Sequence, residues 1–146
     1  MVVLEQIQQD VTSALKSGDR ERTGALRLLA NELQKAAKEA RDQEPDEIAV
    51  LQRERKRRLE SAEAYRDAGR DDLAGQEERE AAVIDEYLPA QMPDDELRTI
   101  VQDVVAETGA ATAKDTGKVM SAVMPQVKGR ADGKRVSAVV REVLSP

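Results

Sequence analysis

The chain has 146 residues, 36% of them charged, and a formal net charge of −6; that length suits one domain or two small ones. With no Cys and no His it cannot form disulfides or zinc–thiolate sites and lacks the commonest general base, and with no Phe, no Trp and two Tyr it offers almost no ring for stacking single-stranded RNA bases. No stretch approaches the roughly 20 apolar residues of a membrane span, and the opening MVVLEQIQQD is too acidic and too short in its apolar run for a signal peptide, so a soluble cytoplasmic protein is expected.

Helical periodicity runs through the sequence, and no strand pattern interrupts it. Leu4, Ile7, Val11 and Leu15 form a first stripe, with Gly18 in the C-cap position. Asp19 is the N-cap of a second helix, whose stripe is Leu26, Leu29, Leu33, Ala36 and Ala40. Pro45 breaks the pattern. Ile48, Leu51, Leu59, Ala62 and Tyr65 mark a long third helix closed by Gly69, and Leu73, Ala81, Ile84 and Leu88 mark a fourth with Gly75 inside it.

The clearest boundary is YLPAQMPDDE. Pro89 ends a helix and Pro93 can open the next, with Asp94, Asp95 and Glu96 crowding a first turn where the helix dipole favours negative charge. Leu97, Ile100, Val101, Val104 and Val105 give the fifth stripe, ended by Gly109. Thr112 to Asp115, TAKD, resembles a capping box, and Val119, Met120, Val123 and Met124 follow it. Pro125 either kinks this sixth helix or ends it. Asp132 can cap a seventh, with Val136, Val139, Val140, Val143 and Leu144 as its stripe. The expected fold is all-α: an N-terminal bundle of about four helices over residues 1–90, then a small three-helix domain over 91–146 that buries little core alone.

Several kinds of chemistry fall away. A phosphate loop ending at Gly117–Lys118 would need Gly at Thr112 and Ser or Thr at Val119. A calcium loop opening at Asp19 would place its final Glu at Ala30. No nucleophile, base and orienting group can be assembled, so no catalytic residue, metal site or cofactor is assigned.

Two basic clusters remain. The segment from Arg53 to Arg58 reads as a solvated helix face, with Glu54 reaching Arg58 and Lys56 reaching Glu60, or else as an RNA-facing one. The second lies in a C-terminal part of opposite charge. From Lys114 onward seven Lys/Arg face three Asp/Glu, a charge of +4 that leaves −10 for the rest. Lys128, Arg130, Lys134 and Arg135 are broken by Gly129 and Gly133, which let a partner come close to the backbone, and the start of the seventh helix adds N–H groups and a positive dipole end suited to phosphate. A plain polar turn between two short helices is the alternative.

At these residues the chain becomes recognisable. EYLPAQM and GAATAKDTGKVMSAVMPQVKGRADGKRVSAVVREVL closely resemble the YqeY proteins of the GatB/YqeY family, and weaker likeness extends upstream over nearly the whole chain. Pro93 departs from the pattern, since the family often has a Ser cap there, and only the cap should change. The resemblance implies that the C-terminal domain is similar to the helical tail of GatB, the amidotransferase subunit acting on misacylated tRNA, whose tail approaches the tRNA body. On that pattern Gly117, Val119, Met120, Gly129, Ala131 and Val136 match the shared motif. Lys118, Lys128, Arg130, Lys134 and Arg135, with Gly129, occupy the tRNA-facing region. The resemblance also implies a tRNA partner, an amidotransferase or aminoacyl-tRNA synthetase as a further partner, and a family-level label of carbon–nitrogen ligase with glutamine as amido-N-donor. GatB's catalytic domain has no counterpart in this sequence, so an accessory role in tRNA binding leads, ahead of stand-alone amidotransfer and of a protein-docking module.

Overall fold

A computed structural model describes residues 2–145. Among them are seven α-helices, one short 3-10 turn and no strand, so the chain is all-α. No helix among the described residues is long and apolar enough to cross a membrane. Contacts divide the chain into two compact units, Met1–Leu88 and Pro89–Pro146.

The first unit contains α1 (Val2–Ser17), α2 (Arg20–Ala40), α3 (Glu47–Asp67) and α4 (Asp71–Asp85). Its helix ends follow from local chemistry. Gly18, at φ 78°, turns the chain out of α1, where the Asp19 N–H reaches the Ala14 carbonyl at 3.0 Å. The Asp19 carboxylate then accepts from the Arg22 N–H at 3.0 Å, and Asp46 caps α3 in the same way through the Ala49 N–H at 3.1 Å. The start of α1 is capped from a distance: Glu47 accepts from the Val3 and Leu4 N–H groups at 3.3 and 2.9 Å, a carboxylate at the positive end of a helix dipole.

Ile7, Leu26, Leu33 and Leu51 are completely buried and form the centre of this core. Two residues expected in the core are exposed instead. Leu15 is 52% exposed, and Ala14, one position back and nearer the face set by Ile7, is buried instead. Leu59 is 39% exposed because the inner stripe of α3 runs through Leu51, Glu54, Arg58 and Ala62. The solvated-face reading of this segment holds for Arg53, Lys56 and Arg57, and fails for Glu54, whose side chain is 3% exposed. Arg58 reaches inward to Glu54 at 3.7 Å, to Glu80 at 3.0 Å and to Glu77 at 3.9 Å. Arg55 reaches Asp85 of α4 at 2.6 Å. An ionic layer thus stands where α3 would otherwise present apolar side chains to α4.

Tyr87, just beyond α4, donates its hydroxyl to Asp10 of α1. Burial first, and then this bond to a carboxylate, pushes the hydroxyl well above the ordinary tyrosine range. The folded state therefore favours the protonated phenol. Its contribution is complete below about pH 10, the value in the unfolded chain, and falls away as pH rises further. Tyr87→Phe should cost about 1–2 kcal/mol at neutral pH and should flatten the alkaline limb of a plot of melting temperature against pH. A limb as steep as the wild type's would contradict the bond.

The second unit contains α5 (Asp94–Thr108), the 3-10 turn Ala113–Asp115, α6 (Thr116–Val127) and α7 (Gly133–Leu144). Leu97, Val101, Val119, Val123, Val127, Val136 and Val140 are completely buried. Valine is a modest helix former, so these short helices depend on packing for their stability. Pro93 stands at the N-cap and has no side-chain cap bond; Asp95 accepts from the Glu96 N–H at 2.9 Å. The expected cap at Asp115 is present: its carboxylate accepts from the Ala111 and Thr112 N–H groups at 2.9 and 3.3 Å, which hold it below the usual aspartate range. Pro125 lies inside α6, which continues to Val127, so the helix does not end at the proline.

Pro89, Ala90 and Gln91 are exposed, whereas Met92 is 2% exposed and donates its N–H to the Arg130 carbonyl at 2.7 Å. Limited proteolysis should therefore cut between Leu88 and Gln91 and spare the stretch from Met92 to Asp94. Cleavage beyond Met92 at an equal rate would contradict the anchoring of that residue.

Candidate nucleic-acid interface

The candidate surface surrounds the connection from α6 to α7. Lys128 has φ −52° and ψ 126°, Gly129 has φ 82°, and the Arg130 N–H returns to the Val127 carbonyl at 2.9 Å. This is a type II turn, whose third residue needs positive φ. Asp132 follows and caps α7 by accepting from the Arg135 N–H at 2.8 Å. Its carboxylate occupies part of the positive end of α7 that the sequence assigns to phosphate, and it brings a negative charge there.

The six residues assigned to RNA separate into different roles. Arg130 makes a two-pronged pair with Glu96 at 3.0 and 3.2 Å and donates to the Ala90 carbonyl at 3.2 Å. Arg135 donates to the Met92 carbonyl and to Asp94, each at 2.7 Å. Both arginines therefore hold the entry to α5 against the turn. The sequence assigns both to the tRNA-facing region; in the structure they engage the acidic first turn of α5, 34 to 41 residues earlier in sequence. Counted over the whole unit, eight Lys/Arg meet eight Asp/Glu, so the basic segment is balanced inside its own fold.

Lys118 is exposed and donates to the Thr108 carbonyl at 3.0 Å, which satisfies an orphan carbonyl at the end of α5. It lies ten residues from Lys128, roughly 15 Å along α6, so closeness in the motif is not closeness in space. Lys128 and Lys134 stand exposed on either side of Gly129, which is itself buried. Among the described residues no group of three or more acidic side chains could hold a metal ion.

Comparison with known proteins supplies the context. The family model described as "Yqey-like protein" matches residues 4–144. "Altered inheritance of mitochondria protein 41, mitochondrial" from Pyrenophora tritici-repentis (strain Pt-1C-BFP) is 30% identical over 151 residues, which cover 98% of this chain and 81% of that protein. Its name ties that protein to mitochondria, so the cytoplasmic expectation gains nothing from the likeness.

Proposed function

The chain belongs to the YqeY-like protein family, and from that premise we propose that it is an accessory protein that binds tRNA by its phosphate backbone and shape. The observation that carries this reading is the placement of Lys128 and Lys134, exposed on both sides of a tight turn, while Arg130 and Arg135 engage the nearby carboxylates of Glu96 and Asp94. Both lysines present their ammonium groups at the surface of a unit whose formal charges sum to zero, so an approaching polyanion meets no net repulsion there. With no Phe or Trp in the chain, recognition falls on phosphates and overall shape rather than on stacked bases.

The test is a binding titration of total tRNA against the full chain, with duplex DNA and polyphosphate as competitors at matched charge. Shape recognition predicts that tRNA resists displacement by both. Equal competition would reduce the interaction to plain polyanion attraction, and no binding at low salt would favour docking on another protein. Carbon–nitrogen ligase activity is checked in parallel by ammonia release from glutamine, which this reading expects at the level of a blank.

A further inference from the structure

Arg20, Arg27, Lys35 and Lys38 share the outer face of α2. At about 100° per residue they fall within an arc of roughly 80° and span roughly 27 Å of helix. All four are exposed, and none has an ion pair among the described residues. That sets them apart in a unit where fifteen Lys/Arg meet twenty-one Asp/Glu, a net −6. On the inner side of α2 and on α3 and α4 the cations are engaged, as Arg22 is with Glu86 at 2.7 Å and Arg79 with Glu21 at 2.6 Å. The other outward positions on the arc are Gly24 and Asn31, and no carboxylate stands on it; Glu21, Glu32 and Glu39 lie on the flank.

Gly24 lies on the same face. It is exposed in the interior of a 21-residue helix, and a Cβ there would meet nothing within 4 Å. Glycine weakens a helix interior relative to alanine, and nothing among the described residues requires it. A bare backbone between Arg20 and Arg27 does serve a partner whose own backbone comes close to the helix.

We infer that the outer face of α2 is a second phosphate-binding surface, which takes the backbone of a folded RNA. The choice of RNA rests on the proposed function; the surface itself is separate from the α6–α7 turn. A line of uncompensated cations with a neutral polar residue and a gap for close approach fits a regularly charged backbone, and it asks for no aromatic ring.

The experiment compares three forms of the full chain for tRNA affinity across salt concentrations: wild type, Arg20→Gln/Arg27→Gln/Lys35→Gln/Lys38→Gln, and Lys128→Gln/Lys134→Gln. Because the four α2 side chains are exposed and unpaired, the first variant should keep its helical signal and melting temperature. It should flatten the plot of log affinity against log salt by roughly three, at somewhat under one per contact. Gly24→Gln should raise the melting temperature and yet weaken tRNA binding severalfold; unchanged binding would overturn the close approach. If only the turn variant changes the slope, the α2 surface is overturned and the proposed function stands. If only the α2 variant does, the α2 surface stands and the turn assignment fails. Absence of tRNA binding by the wild type, or displacement of tRNA by polyglutamate as readily as by RNA, overturns the inference.

Discussion

Arg58→Met should destabilise the N-terminal unit by about 2–4 kcal/mol. The Arg58 side chain is 20% exposed and stands among three carboxylates: Glu80 at 3.0 Å, Glu54 at 3.7 Å and Glu77 at 3.9 Å. Their side chains are 15%, 3% and 23% exposed. Removing the cation leaves three poorly hydrated negative charges facing one another, and Met keeps the volume but supplies no charge. Breaking a fully buried pair costs about 3–5 kcal/mol; the lower figure follows from the partial exposure of Arg58 and from Arg57, which still reaches Glu54 at 3.1 Å. Arg57→Met, at a side chain 58% exposed, should change stability by less than about 1 kcal/mol.

Glu77 gives this layer its pH dependence. Burial, and then the charge of Glu80, push its carboxyl above the ordinary glutamate range against the opposing pull of Arg58. One of its oxygens is buried without a hydrogen bond. The folded state thus favours the protonated form, and the cost of ionisation is fully present at neutral pH. Glu77→Gln should therefore be neutral or stabilising at pH 7, and the damage of Arg58→Met should shrink as pH falls into the carboxylate range. Urea denaturation followed by helical signal measures both. An Arg58→Met variant as stable as Arg57→Met would show that the ionic layer does not hold α3 to α4.

Gly129→Val should cost the C-terminal unit about 2–4 kcal/mol. The residue has φ 82° and stands at the third position of the Val127–Arg130 turn, closed by a 2.9 Å hydrogen bond. A β-branched side chain at positive φ carries a backbone penalty of about 1–3 kcal/mol, and the buried position adds the cost of making room for it. The strain would spread, since the Arg130 carbonyl next to it accepts from the Met92 N–H at 2.7 Å. Gly75→Ala is the comparison. Its Cβ would come within 3.3 Å of the Arg79 guanidinium, the far end of a flexible side chain, so removing glycine from the interior of α4 should be neutral or stabilising by up to about 1 kcal/mol. Equal losses in thermal melts of the two variants would contradict the turn.

Helix ends were the most legible part of the fold, because local chemistry decides them. Gly18, Asp19 and Asp132 take the capping roles expected of them, and the valine stripes of the C-terminal unit lie in its core as read. The errors came where distant residues decide. Glu54 and Arg58 occupy core positions that an apolar count passes over, and only the glutamates of α4 make those positions tenable. Met92 is short of any periodic pattern and is buried by its bond to the Arg130 carbonyl. Within the candidate site, the glycine turn and the exposure of Lys128 and Lys134 could be read from sequence. The occupation of Arg130 and Arg135 could not, since Glu96 and Asp94 enter through the tertiary fold. The α2 face escaped because its four cations are spread over nineteen residues instead of forming a run.

The most direct measurement of the tRNA proposal is the salt dependence of affinity for the wild type and for Lys128→Gln/Lys134→Gln, with Arg130→Gln/Arg135→Gln beside them. If both lysines meet phosphates, their removal should flatten log affinity against log salt by between about one and two, because each contact releases counterions, with the helical signal of the wild type retained. The arginine variant should first lower the melting temperature, since it frees the entry to α5. A lysine variant that stays folded and keeps the full wild-type slope would contradict the assignment of the α6–α7 turn to the tRNA backbone.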